Sequence, residues 1–167
     1  MTRILYVLLF SAAAILLELL ARSFGLFLPF FACLIFYFSS AFPIKLVLVA
    51  SIFGSIVLDF TAEYSFPVSV ISTVIISYAG EFWTHRVMIR SFIFHILPGA
   101  VIPLVFYIPG ILLHCGWIGL PQFAPHLLLS SLFTAITLPL WFFLFHFWAS
   151  RAELEMDEKE RREEEEN

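Results

Sequence analysis

Apolar runs long enough to cross a lipid bilayer recur along almost the whole chain, and they limit its fold more than any other feature. A helix of about 20 apolar residues spans the hydrocarbon core of a membrane. The chain is 61% hydrophobic and 13% charged, whereas a soluble domain is about 25% charged. A chain of 167 residues cannot hide this much apolar surface from water in a single core. The sequence therefore predicts an all-α, polytopic membrane protein.

Six candidate spans are separated by short polar or glycine- and proline-containing segments. The segment His114–His126 holds two glycines and two prolines and is predicted to be a loop. The spans are predicted at Ile4–Leu20, Gly25–Phe38, Pro43–Phe60, Phe66–Trp83, Ser91–Leu113 and Leu127–Trp148. Pro43 and Pro67 are predicted in first helical turns, where a missing N–H costs little. The sequence thus predicts a six-transmembrane-helix bundle over residues 1–150.

Most of the charge lies in a C-terminal tail. Residues 151–167 hold nine of the thirteen acidic residues and four of the nine basic ones. Acid-first pairs at i, i+4 spacing, such as Glu155 with Lys159, favour a helix in part of this tail. We expect an acidic cytoplasmic tail that is either solvated or docked to a partner. The remaining 150 residues carry five basic and four acidic residues, which excludes the basic patch that nucleic-acid binding needs.

The distribution of Lys and Arg predicts the orientation. With the N-terminus inside, the inner segments hold eight basic residues and the outer segments hold only Arg22. Cytoplasmic segments of membrane proteins are enriched in Lys and Arg. We therefore expect a multi-pass protein with both termini in the cytoplasm.

Polar residues on span three form a stripe at four-residue spacing. Ser51, Ser55 and Asp59 lie on one face, and the small residues Ala50 and Gly54 lie beside them. Small residues let helices approach closely in a membrane, and hydroxyl groups hydrogen-bond across the contact. Span three is therefore predicted to be a central packed helix with a structural Asp59. The alternative is that Asp59 is an interfacial residue that ends the helix.

A second polar stripe lies on span four and ends at Glu81. Its hydroxyl residues are Ser69, Thr73 and Ser77. We expect this stripe to face the bundle. Glu81 is expected to pair with Arg86 or Arg90 at the cytosolic interface, and the alternative is a role in a proton relay. On span one, Glu18 and Arg22 stand one turn apart and either pair along the helix or extend separately into the outer headgroups.

The remaining polar groups do not match a known catalytic or metal-binding pattern. Span five carries three prolines, which either bend the helix to fit its neighbours or open a binding site of the kind found in transporters. His95 is expected to be a packed residue. The spacing of His114, Cys115 and His126 matches no standard zinc site, and no nucleotide-binding or hydrolase motif is present. We expect no cofactor, no metal and no enzymatic activity.

The segment from Gly25 to Arg86 resembles the MreD family of rod-shape-determining membrane proteins. Gly54, Leu58 and Asp59 match the Gly-x-x-x-Leu-Asp pattern that ends one span in that family. Pro67 then opens the next span at the right distance, and His85–Arg86 matches its basic end. The turn after Asp59 lacks the glycine that the pattern would carry.

The resemblance implies a fold and a function. The fold would be similar to that of MreD and of the substrate-binding subunits of energy-coupling-factor transporters. The function would be that of a non-enzymatic scaffold in the bacterial inner membrane, within the machinery of cell elongation and peptidoglycan synthesis. Its implied partners are the single-span protein MreC, the actin-like MreB and peptidoglycan synthases, beside the lipid bilayer.

The alternative function is transport. A substrate-binding subunit of a vitamin transporter needs several polar groups that converge near the outer face, and Glu18, Arg22, Asp59 and Glu63 are the candidates. Five residues are predicted to make the important contacts, either with a partner or within the bundle itself. They are Glu18, Arg22, Gly54, Asp59 and Glu81.

The orientation can be tested with reporter fusions. Because basic residues favour the inner side by eight to one, a fusion at the C-terminus should report the cytoplasm and one inserted next to Gly119 should report the outside. Each fusion should be made with both a cytoplasm-active and an export-active reporter. The same signal at both positions would exclude six spans.

Overall fold

The computed structural model describes residues 2–61, 67–86 and 95–151, with side chains from 4–61, 67–83 and 95–144. Within these residues all the regular secondary structure is helical. The helices are α1 (Thr2–Ser23), α2 (Phe30–Ala41), α3 (Ile44–Thr61), α4 (Val68–Arg86) and α5 (Ile96–Arg151). The all-α prediction is confirmed for this part of the chain. The acidic tail after Arg151 lies outside it, and so do Glu63 and Arg90.

Three of these helices are long and apolar enough to cross a membrane. They are α1 over Ile4–Ser23, α3 over Ile44–Thr61 and α5 over Ile96–Leu144. The other two apolar stretches, Phe30–Ala41 and Val68–Trp83, are shorter. The described helices thus support the prediction of a membrane protein.

The second predicted span is placed wrongly at its start. Gly25 was predicted to open span two, but it ends α1 instead, with a left-handed φ of 74°. The N–H of Gly25 bonds to the carbonyl of Arg22, and the N–H of Leu26 bonds to that of Ala21. These two bonds form a Schellman motif, which closes a helix at a residue with positive φ and therefore favours glycine. Helix α2 begins only at Phe30.

Helix α2, not α3, is the centre of the bundle. Residues 31–39 of α2 are all buried, and α2 contacts every other helix. Helix α3 buries one face only and exposes side chains such as Phe53 and Phe60 on the other. The prediction of a central span three is therefore wrong. A helix that is buried on all sides must be apolar all round, as α2 is, whereas α3 concentrates its small and polar residues on one side.

The predicted loop His114–His126 is helical except at Gly116. Gly116 has φ 62° and ψ −169° inside α5, and this break divides α5 into a first arm (96–115) and a second arm (117–151). A Cβ added at Gly99 would lie 2.8 Å from the Cα of Ala135, so the two arms lie side by side. Pro121 and Pro125 are accommodated within the second arm. The prolines misled the prediction because each removes one helical hydrogen bond without ending the helix.

Candidate functional site

Glu18 is a completely buried carboxylate that joins α1 to α2. Its side chain has 0% exposure. Oε1 accepts a hydrogen bond from Nη2 of Arg22 at 2.7 Å, and Oε2 accepts one from the backbone N–H of Phe31 at 3.1 Å. Phe31 is the second residue of α2, so its N–H has no partner within the helix. Glu18 therefore caps α2 from a neighbouring helix.

Arg22 extends the same interaction toward α5. The pairing of Glu18 with Arg22 was one of two predicted alternatives, and their 2.7 Å salt bridge confirms it. Glu18 does not reach the headgroups, because its side chain is fully buried. The Arg22 guanidinium lies 5.9 Å from the ring centroid of Tyr107 on the first arm of α5, a favourable position for a cation over an aromatic face. This cluster thus connects three helices.

Asp59 repeats this arrangement between α3 and α4. It is 5% exposed, and its Oδ1 and Oδ2 lie 3.1 and 3.2 Å from the backbone nitrogen of Ser69. Ser69 is the second residue of α4, just as Phe31 is the second residue of α2. A carboxylate at a helix N-terminus also interacts favourably with the helix dipole. Asp59 is therefore a cap for the next helix, and its predicted structural role agrees with these contacts.

The two predicted polar stripes face each other. Below the Asp59 cap, the Ser55 hydroxyl lies 2.7 Å from that of Thr73, and the Ser51 hydroxyl lies 2.9 Å from that of Ser77. Four residues toward the start of α3, from Ser55 to Ser51, correspond to four residues toward the end of α4, from Thr73 to Ser77. We call Asp59, Ser55 and Ser51 together with Ser69, Thr73 and Ser77 the polar ladder. Because all six are buried, these bonds fix the register of α3 against α4.

Gly54 and Leu58 complete the packing on the same face of α3. A Cβ at Gly54 would lie 2.6 and 3.0 Å from Cε2 and Cε1 of Phe31, so the absence of a side chain makes room for that ring. Leu58 is 0% exposed. The three residues of the Gly-x-x-x-Leu-Asp pattern therefore all contribute to helix packing, and Phe31 is shared between the Glu18 cap and the Gly54 contact.

The other residues singled out from the sequence are Glu81, His95 and the potential metal ligands. Glu81 is half-buried on α4, while the side chains of its predicted partners, Arg86 and Arg90, lie outside the described residues. His95 is buried with its ring 4.2 Å from that of Phe142, as expected of a packed residue. In the described part of the chain, no group of three His, Cys, Asp or Glu residues is arranged to hold a metal.

Sequence reasoning missed the partners of the two carboxylates. It treated Glu18 as a partner of Arg22 alone and did not connect it to the start of α2. The available signal was the position of these two residues in the chain. Each lies near the end of one helix, and the next helix begins fewer than ten residues after that end. A backbone N–H leaves no mark in the sequence, so the cap itself was not predictable.

Comparison of the chain with protein families, with curated proteins and with solved structures finds no match.

The Asp59 cap can be tested by substitution. Asp59→Leu would leave the Ser69 N–H buried without an acceptor, at a cost of about 1–3 kcal/mol, and should lower both the melting temperature and the folded yield in detergent. Asp59→Asn retains an acceptor and should lose less. The matched control is Phe60→Leu, at a neighbouring side chain that is 81% exposed. If Asp59→Leu is as stable as the control, Asp59 does not cap α4.

The contact of Gly54 with Phe31 can be tested with a double-mutant cycle. Gly54→Ala should force the Phe31 ring to move and should destabilise the protein by about 1–3 kcal/mol, measured by thermal unfolding in detergent. In a Phe31→Leu background the same change should cost less, because the ring that it meets is gone. Equal costs in the two backgrounds would show that Gly54 is required for another reason.

Proposed function

We propose that this chain is a non-enzymatic scaffold of the bacterial inner membrane, related to the MreD proteins and acting in cell elongation. The observation that supports this proposal most is the structural use of the Gly54–Asp59 segment. Asp59 lies in the last turn of α3 and caps α4, the helix that Pro67 precedes. Gly54 and Leu58 pack the same face of α3. A pattern of this kind would recur in a family because it builds a helix pair.

The proposed topology has six crossings with both termini in the cytoplasm. Helix α2 has 12 residues, about 18 Å at 1.5 Å per residue, and the non-helical residues between Leu26 and Pro29 add length on the same side. Helix α4 has 19 residues, about 28 Å on the same basis. The two arms of α5 supply the fifth and sixth crossings, because the break at Gly116 reverses the chain.

The scaffold proposal fits the way in which the polar groups are used. The Glu18 carboxylate accepts from Arg22 and Phe31, and that of Asp59 accepts from Ser69. These groups hold helices together inside the bundle. A vitamin-transporter subunit would instead need polar groups that converge on a substrate. Three of its four candidate residues, Glu18, Arg22 and Asp59, are already engaged within the chain. We therefore favour the scaffold over the transporter.

Contacts with partners would be made by the apolar outer surface. Helix α1 exposes large side chains along one face, including Leu5, Leu9 and Leu16, and α3 exposes Phe53 and Phe60. Because lipid tails are as apolar as these side chains, association in the membrane depends on shape and close packing. An MreC-like single-span protein is the proposed membrane partner, with MreB-like filaments and peptidoglycan synthases as further members of the assembly.

Depletion in the native host tests this function. Loss of an elongation scaffold should turn rods into rounded cells, and the MreC-like protein should co-purify with the chain from native membranes. Expression of the chain should restore the rods, and so should a variant that lacks residues 152–167, because charge runs of this kind are mostly solvated.

Two results would contradict the scaffold. One is the persistence of rods after complete depletion. The other is uptake of a vitamin that depends on the chain, which would favour the transporter. The full-length chain, expressed in the depleted cells, serves as the control in both measurements.

A further inference from the structure

Two prolines of α5 remove helical hydrogen bonds at the place where its two arms touch. In an α-helix the N–H of each residue bonds to the carbonyl four residues earlier, and proline has no N–H. Pro103 in the first arm therefore cannot bond to the carbonyl of Gly99, and Pro139 in the second arm cannot bond to that of Ala135. A Cβ added at Gly99 would lie 2.8 Å from the Cα of Ala135. Both arms thus lose a bond at one contact, which we call the crossing.

The two arms run antiparallel, so the crossing divides the α5 hairpin into two halves. Phe27 packs against Tyr107 of the first arm and His126 of the second arm, with ring centroids at 5.6 and 5.7 Å. Tyr107 lies eight residues after the crossing in its arm, and His126 lies nine residues before it. We call residues 100–134, which lie between the crossing and the turn, the turn half of the hairpin.

Two buried hydroxyl groups beside the crossing lack a hydrogen-bond partner in the part of the chain that the structure describes. They are the Oγ atoms of Ser130 and Ser131, five and four residues before Ala135. The carbonyl of Gly99 points along its helix toward Pro103, and therefore toward the level of these serines. Ser and Thr side chains can satisfy the backbone groups that a proline frees in a membrane helix. Hydroxyl donors and a carbonyl acceptor that has lost its helical donor thus lie at one level.

We propose that the crossing is a hinge, at which the turn half of α5 bends until the Ser130 hydroxyl donates to the carbonyl of Gly99. Prolines inside helices are the usual sites of kinks, and here one lies in each arm. Leaving the buried hydroxyl without an acceptor costs free energy, and the bend would offset this cost. The hinge does not depend on the proposed function, because either a scaffold or a transporter could use it.

The other half of the hairpin is anchored to the core helix. Phe142 of the second arm packs against Phe36 and Tyr37, with ring centroids at 6.0 and 5.1 Å. Both belong to the buried stretch of α2. Phe27, which the turn half contacts, lies instead in the non-helical connection between α1 and α2. The turn half is therefore the part that would move.

Distances between spin labels test the hinge. In a Cys115→Ala background, where the buried Cys33 is not labelled, nitroxides are attached at Phe53→Cys on α3 and at Ile118→Cys in the turn half, both at exposed positions. A bend of about 20° over the roughly 24 Å from the crossing to Ile118 moves that label by about 8 Å. Double electron–electron resonance of the full chain in lipid nanodiscs should therefore give two distances. A label at Phe143→Cys in place of that at Ile118 should give one.

Restoring the missing bonds should remove the second distance. The double substitution Pro103→Ala with Pro139→Ala supplies both N–H groups at the crossing and should leave a single distance to the Ile118 label. The matched control is Pro121→Ala with Pro125→Ala, which changes two prolines of the same hairpin away from the crossing. The control should retain both distances.

Ser130→Ala provides a second measurement that changes no backbone group. It removes the proposed donor and should lower the population of one of the two distances about fivefold, the effect of one typical hydrogen bond. Ser72→Ala, at another buried hydroxyl without a described partner on α4, should leave the populations unchanged. A single distance to Ile118 in the otherwise unaltered chain would overturn the hinge and show a fixed bend. So would a second distance that survives the two substitutions at the crossing, that disappears in the proline control, or that Ser130→Ala does not change.

Discussion

A helix that starts inside a bundle, away from water, must find acceptors for its first N–H groups, and this requirement organises the protein. An unsatisfied backbone group in such an environment costs several kcal/mol. In the part of the chain that the structure describes, the requirement is met twice with a carboxylate from the preceding helix, by Glu18 for α2 and by Asp59 for α4. A buried carboxylate is itself costly unless it is hydrogen-bonded. The carboxylate and the backbone N–H group therefore stabilise each other. Each such pair fixes the arrangement of two successive helices.

The packing around α2 follows from these two caps. The Glu18 cap sets the height of α2 against α1, and the Asp59 cap sets that of α4 against α3. Phe31 links the two pairs, because its N–H bonds to Glu18 while its ring fills the space left by Gly54. Below Asp59 the polar ladder continues with hydroxyl contacts at 2.7 and 2.9 Å. Small and hydroxyl residues serve here as helix contacts, which is the usual way in which membrane helices associate without a hydrophobic driving force.

The sequence predicted the elements better than their arrangement. The bounds of α1 and α3 were nearly right because charged residues and prolines flank clear apolar runs, and the two polar stripes were visible at four-residue spacing. The central position of α2 could not be predicted, because a lipid-facing helix and a core helix are equally apolar. Gly25 was predicted to begin a span, and Gly116 was predicted to lie in a loop. Their positive φ values, 74° and 62°, instead end one helix and break another, and φ cannot be read from a glycine in isolation.

The distribution of polar and apolar groups finally bears on how such a protein can act. The carboxylates Glu18 and Asp59 and the hydroxyl groups of the polar ladder lie inside the bundle and bond to one another or to the backbone. Most of the large side chains exposed on α1, on α3 and on the arms of α5 are apolar. Interactions with other molecules must therefore use surfaces that differ from lipid mainly in shape, or the parts that leave the membrane.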